Sequence, residues 1–144
     1  MLYRTWTYAD IGEIAALEQQ CFSDPWSFQM LADSFISPNT ATIAAEEGGE
    51  VVGYAFLTGI AGEEADLANI AVDARCRGRG VGGELLRRLE ERARQLGVRR
   101  IFLEVRVSNA DAMLLYLRHG YVGKYVRPRY YGDGEDAVVM GKEI

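Results

Sequence analysis

Hydrophobic and polar positions change period several times along this chain, and each change marks an element. Alternation from Leu2 to Thr7 predicts a first strand. Thr7-Tyr8-Ala9-Asp10 then offers a helix start with an acid at the third position. Ile11, Ile14, Ala15, Leu17, Cys21 and Phe22 recur at helical spacing, so a helix runs to residue 22, with Cys21 read as a small packing residue. Ser23-Asp24-Pro25 breaks it, Trp26 to Ile36 forms a second, shorter helix, and Ser37-Pro38-Asn39 ends that one.

The period then drops to two. Thr40 to Glu46 and Glu50 to Leu57 read as strands around Glu47-Gly48-Gly49, a hairpin signal. A third strand, roughly Glu64 to Asp73, pairs back across Ala61-Gly62. Helical spacing returns from Val81 to Leu96, where Val81, Leu85, Leu86, Leu89, Ala93 and Leu96 form the apolar stripe. Glu84–Arg88 and Glu90–Arg94 are spaced four apart for ion pairs, and Gly97 is placed to end the helix. Ile101 to Val107 is a strongly apolar strand. Ser108-Asn109-Ala110-Asp111 starts a helix through about His119, which Gly120 ends. Tyr121 to Val126 and Asp136 to Gly141 supply the last strands, joined by residues 127–134. The order predicts one α/β domain over residues 1–144, a mixed central β-sheet of about seven strands flanked by about four helices.

Composition narrows the class. The chain has 144 residues, 49% of them hydrophobic and 26% charged, an ordinary globular balance. No apolar run reaches the roughly 18 residues of a membrane span, and Met1-Leu2-Tyr3-Arg4 begins no signal peptide, so a cytoplasmic location and no membrane partner are expected. Two cysteines, Cys21 and Cys76, and one histidine make a metal site improbable. A net charge of −5 argues against nucleic acid as a direct partner. Basic charge is almost wholly arginine, with only Lys124 and Lys142 as lysines.

The chemistry concentrates between the third strand and the long helix. Ala68-Asn69-Ile70-Ala71-Val72-Asp73 leads into Ala74-Arg75-Cys76-Arg77-Gly78-Arg79-Gly80-Val81-Gly82-Gly83. Glycines at 78, 80, 82 and 83 bare the backbone where a helix begins, so its N–H groups can face an anion, and Arg75, Arg77 and Arg79 add positive charge. The stretch reads as a cradle for a pyrophosphate. No Gly-Lys-Ser/Thr closes the turn, which excludes a Walker loop. Gly78 to Gly83 does fit the Rossmann spacing Gly-x-Gly-x-x-Gly, a weak signal by itself.

Two further residues attract notice. Alternation sets Glu104 on the strand face opposite Leu103 and Val105, where a carboxylate is costly to bury unless paired or functional. An open strand face, or a pair with Arg106, would account for it equally. Tyr116 sits among Met113, Leu114 and Leu117, and a packed tyrosine is the ordinary reading, although a buried phenol needs a partner.

The Arg77-x-x-Gly80-x-Gly82 loop after Asn69-Ile70-Ala71-Val72-Asp73 closely resembles the acetyl-coenzyme A loop of the GNAT acetyltransferase superfamily. Leu103-Glu104-Val105-Arg106, Ser108-Asn109-Ala110, Leu115-Tyr116, and Gly120-Tyr121 follow in order. With Asp24-Pro25-Trp26-Ser27 and Arg129-Tyr130-Tyr131 before Gly134-Glu135-Asp136-Ala137, the chain is similar to the RimI-type ribosomal-protein-alanine N-acetyltransferases over nearly its whole length. Cys76 inside the loop, and Tyr121 where phenylalanine is common, depart from the pattern.

The resemblance implies acetyl transfer from acetyl-CoA, as co-substrate, to the N-terminal α-amine of a protein, an alanine of small-subunit ribosomal protein eighteen. It implies Glu104 as general base and Tyr116 as general acid. Ile70, Ala71 and Val72 would hold the pantetheine arm. Arg77, Gly78, Arg79, Gly80, Val81, Gly82 and Gly83 would hold the pyrophosphate, and Asn109 would touch the coenzyme. Trp26 and Tyr131 would line the peptide entrance. A broader N-terminal enzyme, an enzyme for a small amine such as a polyamine or aminoglycoside, and a non-catalytic acetyl-CoA sensor stay open. Residues 22–38 and 127–135 would shape the acceptor groove and decide among the enzymes.

Overall fold

The seven strands form one sheet in the order β1-β2-β3-β4-β5-β7-β6, seen in a computed structural model that describes residues 1–144. They are β1 (Leu2–Arg4), β2 (Ala41–Glu47), β3 (Glu50–Ala61), β4 (Glu64–Val72), β5 (Arg100–Arg106), β6 (Val122–Arg127) and β7 (Ala137–Glu143). The helices are α1 (Ile11–Cys21), α2 (Phe28–Ile36), α3 (Val81–Gln95) and α4 (Ala110–Arg118), with short 3-10 turns at Tyr8–Asp10 and Ala74–Cys76. All neighbouring strands run antiparallel except β4 and β5.

Local chemistry accounts for most boundaries. β2 and β3 are joined by Gly48-Gly49 with φ of 61° and 83°, which suits the two-residue turn that the strand twist favours. The Ser27 side chain caps α2 by accepting the Met30 N–H at 3.2 Å, and Asn109 caps α4 by accepting that of Ala112 at 3.2 Å. β3 outruns its expected end at Leu57 by four residues. Gly59, with φ of 60°, lets β3 bulge against β4 instead of stopping at Thr58-Gly59. β1 is shorter than expected, because Thr7 turns to meet Asp10, whose carboxylate accepts the Thr7 N–H at 2.6 Å.

The sheet is buried on both faces. Trp6, Ile11, Ile14, Leu17, Leu31, Tyr54 and Phe56 pack on one side, under α1 and α2. Leu85, Leu86, Leu89, Ala93, Ile101, Leu103, Tyr116 and Tyr121 pack on the other, under α3 and α4. Val51 to Leu57 of central β3 is therefore buried without interruption.

Two expectations about α3 are corrected. Leu96 caps the helix and is exposed, and Val98 fills the core in its place. Glu84 does pair with Arg88 at 2.6 Å, but Glu90 is buried and does not meet Arg94. Its carboxylate accepts from the Tyr121 hydroxyl at 3.0 Å and from Lys142 at 2.8 Å.

Function is set by the one parallel pair. β4 and β5 stay in register only through Glu64–Arg100, Ala65–Ile101 and Asp66–Phe102. Beyond that point the strands part, so the edge of β4 facing β5 has no ladder partner from Leu67 to Val72. A cleft opens there through the middle of the sheet.

Candidate active site

One side of the cleft is a groove of about 560 Å³ whose wall includes Ile70, Ala71, Val72, Arg77, Gly78, Gly80, Val81, Gly82, Gly83 and Asn109. Gly78 and Gly80 hold φ of 77° and 79°, a conformation that side-chain-bearing residues adopt at a cost. A Cβ at either would meet nothing, so backbone conformation and not crowding demands glycine there. At Gly83 the reason differs: a Cβ would stand 2.7 Å from His119 Nε2 on α4.

The first internal bond of α3 runs from the Glu84 N–H to the Gly80 carbonyl at 3.1 Å. The N–H groups of Val81, Gly82 and Gly83 are thus left without helical acceptors at the positive end of a 15-residue helix. Arg77 and Arg118 stand in the same wall. A bare backbone, free donors and two guanidinium groups fit the pyrophosphate of a coenzyme A.

The arginines have separate duties. Arg77 crosses the groove floor, donating from Nε to the Val72 carbonyl at 3.0 Å and lying 3.4 Å from Cys21 Sγ. Cys21, read from sequence as a packing residue, is half-buried and lines the groove. Arg79 turns out of the groove and forks onto Glu47 at 3.0 and 3.1 Å. Arg75 is likewise held by Asp73 and Glu50.

A second cavity, of about 700 Å³, lies on the other side of the cleft. Glu104, Tyr116, Trp26 and Tyr131 all line it. Phe22, Ile70, Asn109 and Ala112 border both spaces, so the two cavities meet where β4 and β5 part.

Glu104 keeps the face that alternation gave it, with Leu103 and Val105 buried opposite. Arg106 is not its partner, being occupied by Asp133 at 2.8 Å, Glu135 at 2.9 Å and Asp24 at 3.4 Å. The nearest cation to Glu104 is Arg127, at 4.0 Å. Burial pushes the Glu104 carboxyl above the usual range, Arg127 opposes that, and the negative charge of Asp66 adds to it.

Tyr116 is 7% exposed, and its hydroxyl makes no hydrogen bond within the chain while its ring lines the cavity. Burial raises its proton affinity, with Tyr131 adding a smaller push, so the phenol stays neutral and able to donate. Tyr131 is itself pushed up to about 12 by burial. The Arg106 guanidinium stacks 4.0 Å over its ring.

The acetyltransferase (GNAT) family model matches residues 11–121. The chain belongs to the GNAT acetyltransferase family. It is an acetyl-CoA-dependent N-acetyltransferase of RimI type. The N-alpha-acetyltransferase RimI of Mycobacterium tuberculosis is 37% identical over 95% of this chain and 89% of its own. The ribosomal protein bS18-alanine N-acetyltransferase of Escherichia coli is 34% identical over 94% of this chain and 92% of its own. The crystal structure of the E. coli ribosomal-protein-S18-alanine N-acetyltransferase superimposes with a TM-score of 0.90 over 99% of this chain and 93% of that one, at 31% identity. Ard1 from Thermoplasma volcanium gives 0.93 over 99% and 97%, at 25% identity.

Sequence reasoning missed several members of this GNAT site. Glu18 is fully buried on α1, and its carboxylate accepts from the Tyr54 hydroxyl at 2.6 Å, Asn69 Nδ2 at 2.7 Å and the Trp26 N–H at 2.9 Å. It ties the segment at Trp26 to β4 where that strand bulges at Ala68. A signal existed: Glu18 falls four residues after Ile14 and three before Cys21, on the apolar stripe itself. Asp66 could not be seen this way, and Arg127 and Tyr130, within the segment expected to shape the acceptor groove, are brought to Glu104 only by the strand register and the chain's return through β6.

Proposed function

We propose that this enzyme moves the acetyl group of acetyl-CoA to the α-amine of a protein N-terminus, an N-terminal alanine of small-subunit ribosomal protein eighteen, with residues 1–144 acting as one unit. The observation that carries the reading is the junction of the two cavities. A glycine-lined groove for a pyrophosphate ends where a second cavity presents one carboxylate and one buried, unpartnered phenol.

Acetyl-CoA supplies an activated acetyl thioester. Gly78 to Gly83, Arg77 and Arg118 hold its pyrophosphate through backbone N–H groups and two guanidinium groups. Arg79 contributes backbone only, since Glu47 occupies its side chain. The unpaired edge of β4 at Ile70, Ala71 and Val72 binds the pantetheine arm and offers N–H groups to the carbonyl oxygen on which charge develops. Asn109 Oδ1 is committed to the α4 cap, so its amide NH₂ is the part free to face the coenzyme.

Glu104 removes the amine proton, directly or through one water. An α-amine of pKa about 7.7–8 holds that proton weakly, and a carboxyl raised by burial is a better match for it than an ordinary one. Tyr116 then gives its proton to the departing sulfur, whose thiol holds it at about 8.5. A lysine ε-amine near 10.4 would demand a stronger base, which favours N-termini as acceptors. Trp26 and Tyr131 stand at the peptide entrance, and both flanking segments, 22–38 and 127–135, supply lining residues.

The test separates chemistry from binding. Glu104→Gln and Tyr116→Phe should each cut kcat by about a hundredfold or more while acetyl-CoA affinity holds. Full turnover in both variants would overturn the mechanism.

A further inference from the structure

The acceptor cavity contains a second carboxylate that the reaction as described leaves idle. Asp66 is the last β4 residue in register with β5, opposite Phe102. Residues paired across a ladder point to the same face, as do residues two apart, so Asp66, Phe102 and Glu104 share one side of the sheet. Asp66 and Glu104 both line the 700 Å³ cavity at the point where the strands part. Asp66 Oδ2 lies so near Gly59 on β3 that a Cβ there would stand 3.3 Å away, so the carboxylate rests on bare backbone.

The charges around this point do not cancel. Asp66 has no hydrogen bond and no ion pair within the chain. Arg127, from the end of β6, is the one cation close to both carboxylates, and it is 4.0 Å from Glu104. Glu64 lies further back on β4, and Tyr130 and Tyr131 close the space from the β6–β7 loop. Arg106, further along β5, is occupied by Asp24, Asp133 and Glu135. Two carboxylates thus share one guanidinium. Lining the same cavity is Tyr116, a side chain over nine-tenths buried whose hydroxyl has no partner within the chain and stays open to the cavity, which marks a place for a polar group the chain does not supply.

We propose that Asp66 is an acceptor-positioning residue: with Glu104 it forms a two-carboxylate seat at the apex of the cleft that receives the acceptor amine as its ammonium ion. The inference rests on the N-terminal acetyltransferase reading. The ammonium docks against both carboxylates, one N–H proton passes to a Glu104 oxygen, and the nitrogen is left with the lone pair that attacks. Asp66 stays ionised and keeps the neutral amine in place. Its charge also strengthens the hold of Glu104 on a proton, as Arg127 weakens it.

The experiment measures acetylation of an alanine-first peptide across pH by wild type, Asp66→Asn, Asp66→Glu and Arg127→Gln, with acetyl-CoA affinity measured separately. Asp66→Asn should raise the peptide KM about tenfold at a pH below the amine pKa, with a smaller change in kcat. Its acidic limb of kcat should move to lower pH, because Glu104 loses a like-charged neighbour. Arg127→Gln should move that limb to higher pH, and Asp66→Glu should restore most of the peptide affinity. Acetyl-CoA affinity should hold throughout. Wild-type transfer with an Asp66→Asn variant of unchanged peptide KM and unchanged limb overturns this inference alone. A loss that Asp66→Glu does not repair, with the limb unmoved, also overturns it. Wild-type silence on the peptide overturns the N-terminal reading and this inference with it.

Discussion

Glu104 shows how far one residue can be read before its surroundings are known. Alternation along β5 places it opposite Leu103 and Val105, and the structure keeps it there. The raised proton affinity was not legible, since it depends on burial in the cleft and on Asp66 and Arg127 from other strands. It carries a prediction with a definite sign. A base must be deprotonated to act, so kcat should fall as pH drops through the Glu104 pKa, at a pH above the ordinary glutamate value of about 4.3. A kcat profile of wild type checks this, and an acidic limb at or below that value would contradict it. Glu18 belongs to the same scale. Glu18→Ala would strand the buried Tyr54 hydroxyl and release Asn69 and the Trp26 backbone, at a cost of about 2–3 kcal/mol in chemical denaturation. Two carboxylates, Glu18 and Glu90, lie on apolar helical stripes and prove to be buried hubs. In this chain, a charge at a core position of a helix was a readable signal of a polar network.

Among the elements, the helices and hairpins follow from local chemistry, and the cleft does not. Gly48-Gly49, Ser27, Asn109 and Gly80 each sit where a turn or cap needs them. Gly80→Ala should lower stability by about 1–2 kcal/mol through left-handed strain alone, as nothing crowds its Cβ. Because Gly80 opens α3, acetyl-CoA affinity should fall severalfold with it, which thermal melts and titration calorimetry would measure. The length of the β4–β5 ladder depends on contacts between segments more than thirty residues apart, and no periodicity announces it. The β6–β7 loop was legible as a segment that would shape the acceptor groove, but the contacts that hold it there were not. Arg106 holds that loop through Asp133 and Glu135 and stacks on Tyr131. Arg106→Lys keeps the charge but loses the planar fork and the stack, so the peptide KM should rise about tenfold while acetyl-CoA affinity is unchanged. Equal losses in both would show that Arg106 supports the fold at large.

For the molecule as a whole, the sheet divides the work. Its α3 side builds most of the glycine-lined groove from one stretch, residues 70–83, completed by Cys21, Phe22 and α4, which is why that half was the most legible part. The cavity of about 700 Å³ draws on the α1–α2 connection, β3, β4, β5, α4 and the β6–β7 loop. Its members are scattered in sequence: the resemblance marked Ile70, Glu104, Asn109, Tyr116, Trp26 and Tyr131 and the segments 22–38 and 127–135, whereas Thr58 and Asp66 emerged only from the fold. The deciding measurement is acetyl transfer from acetyl-CoA to three peptides: one with the ribosomal alanine-first N-terminus, one with that amine blocked and an internal lysine kept, and one starting with another residue. Transfer to the first alone is the expected result. Transfer to the third as well would replace the narrow target with broad N-terminal specificity, and silence on all three with acetyl-CoA still bound would contradict the account.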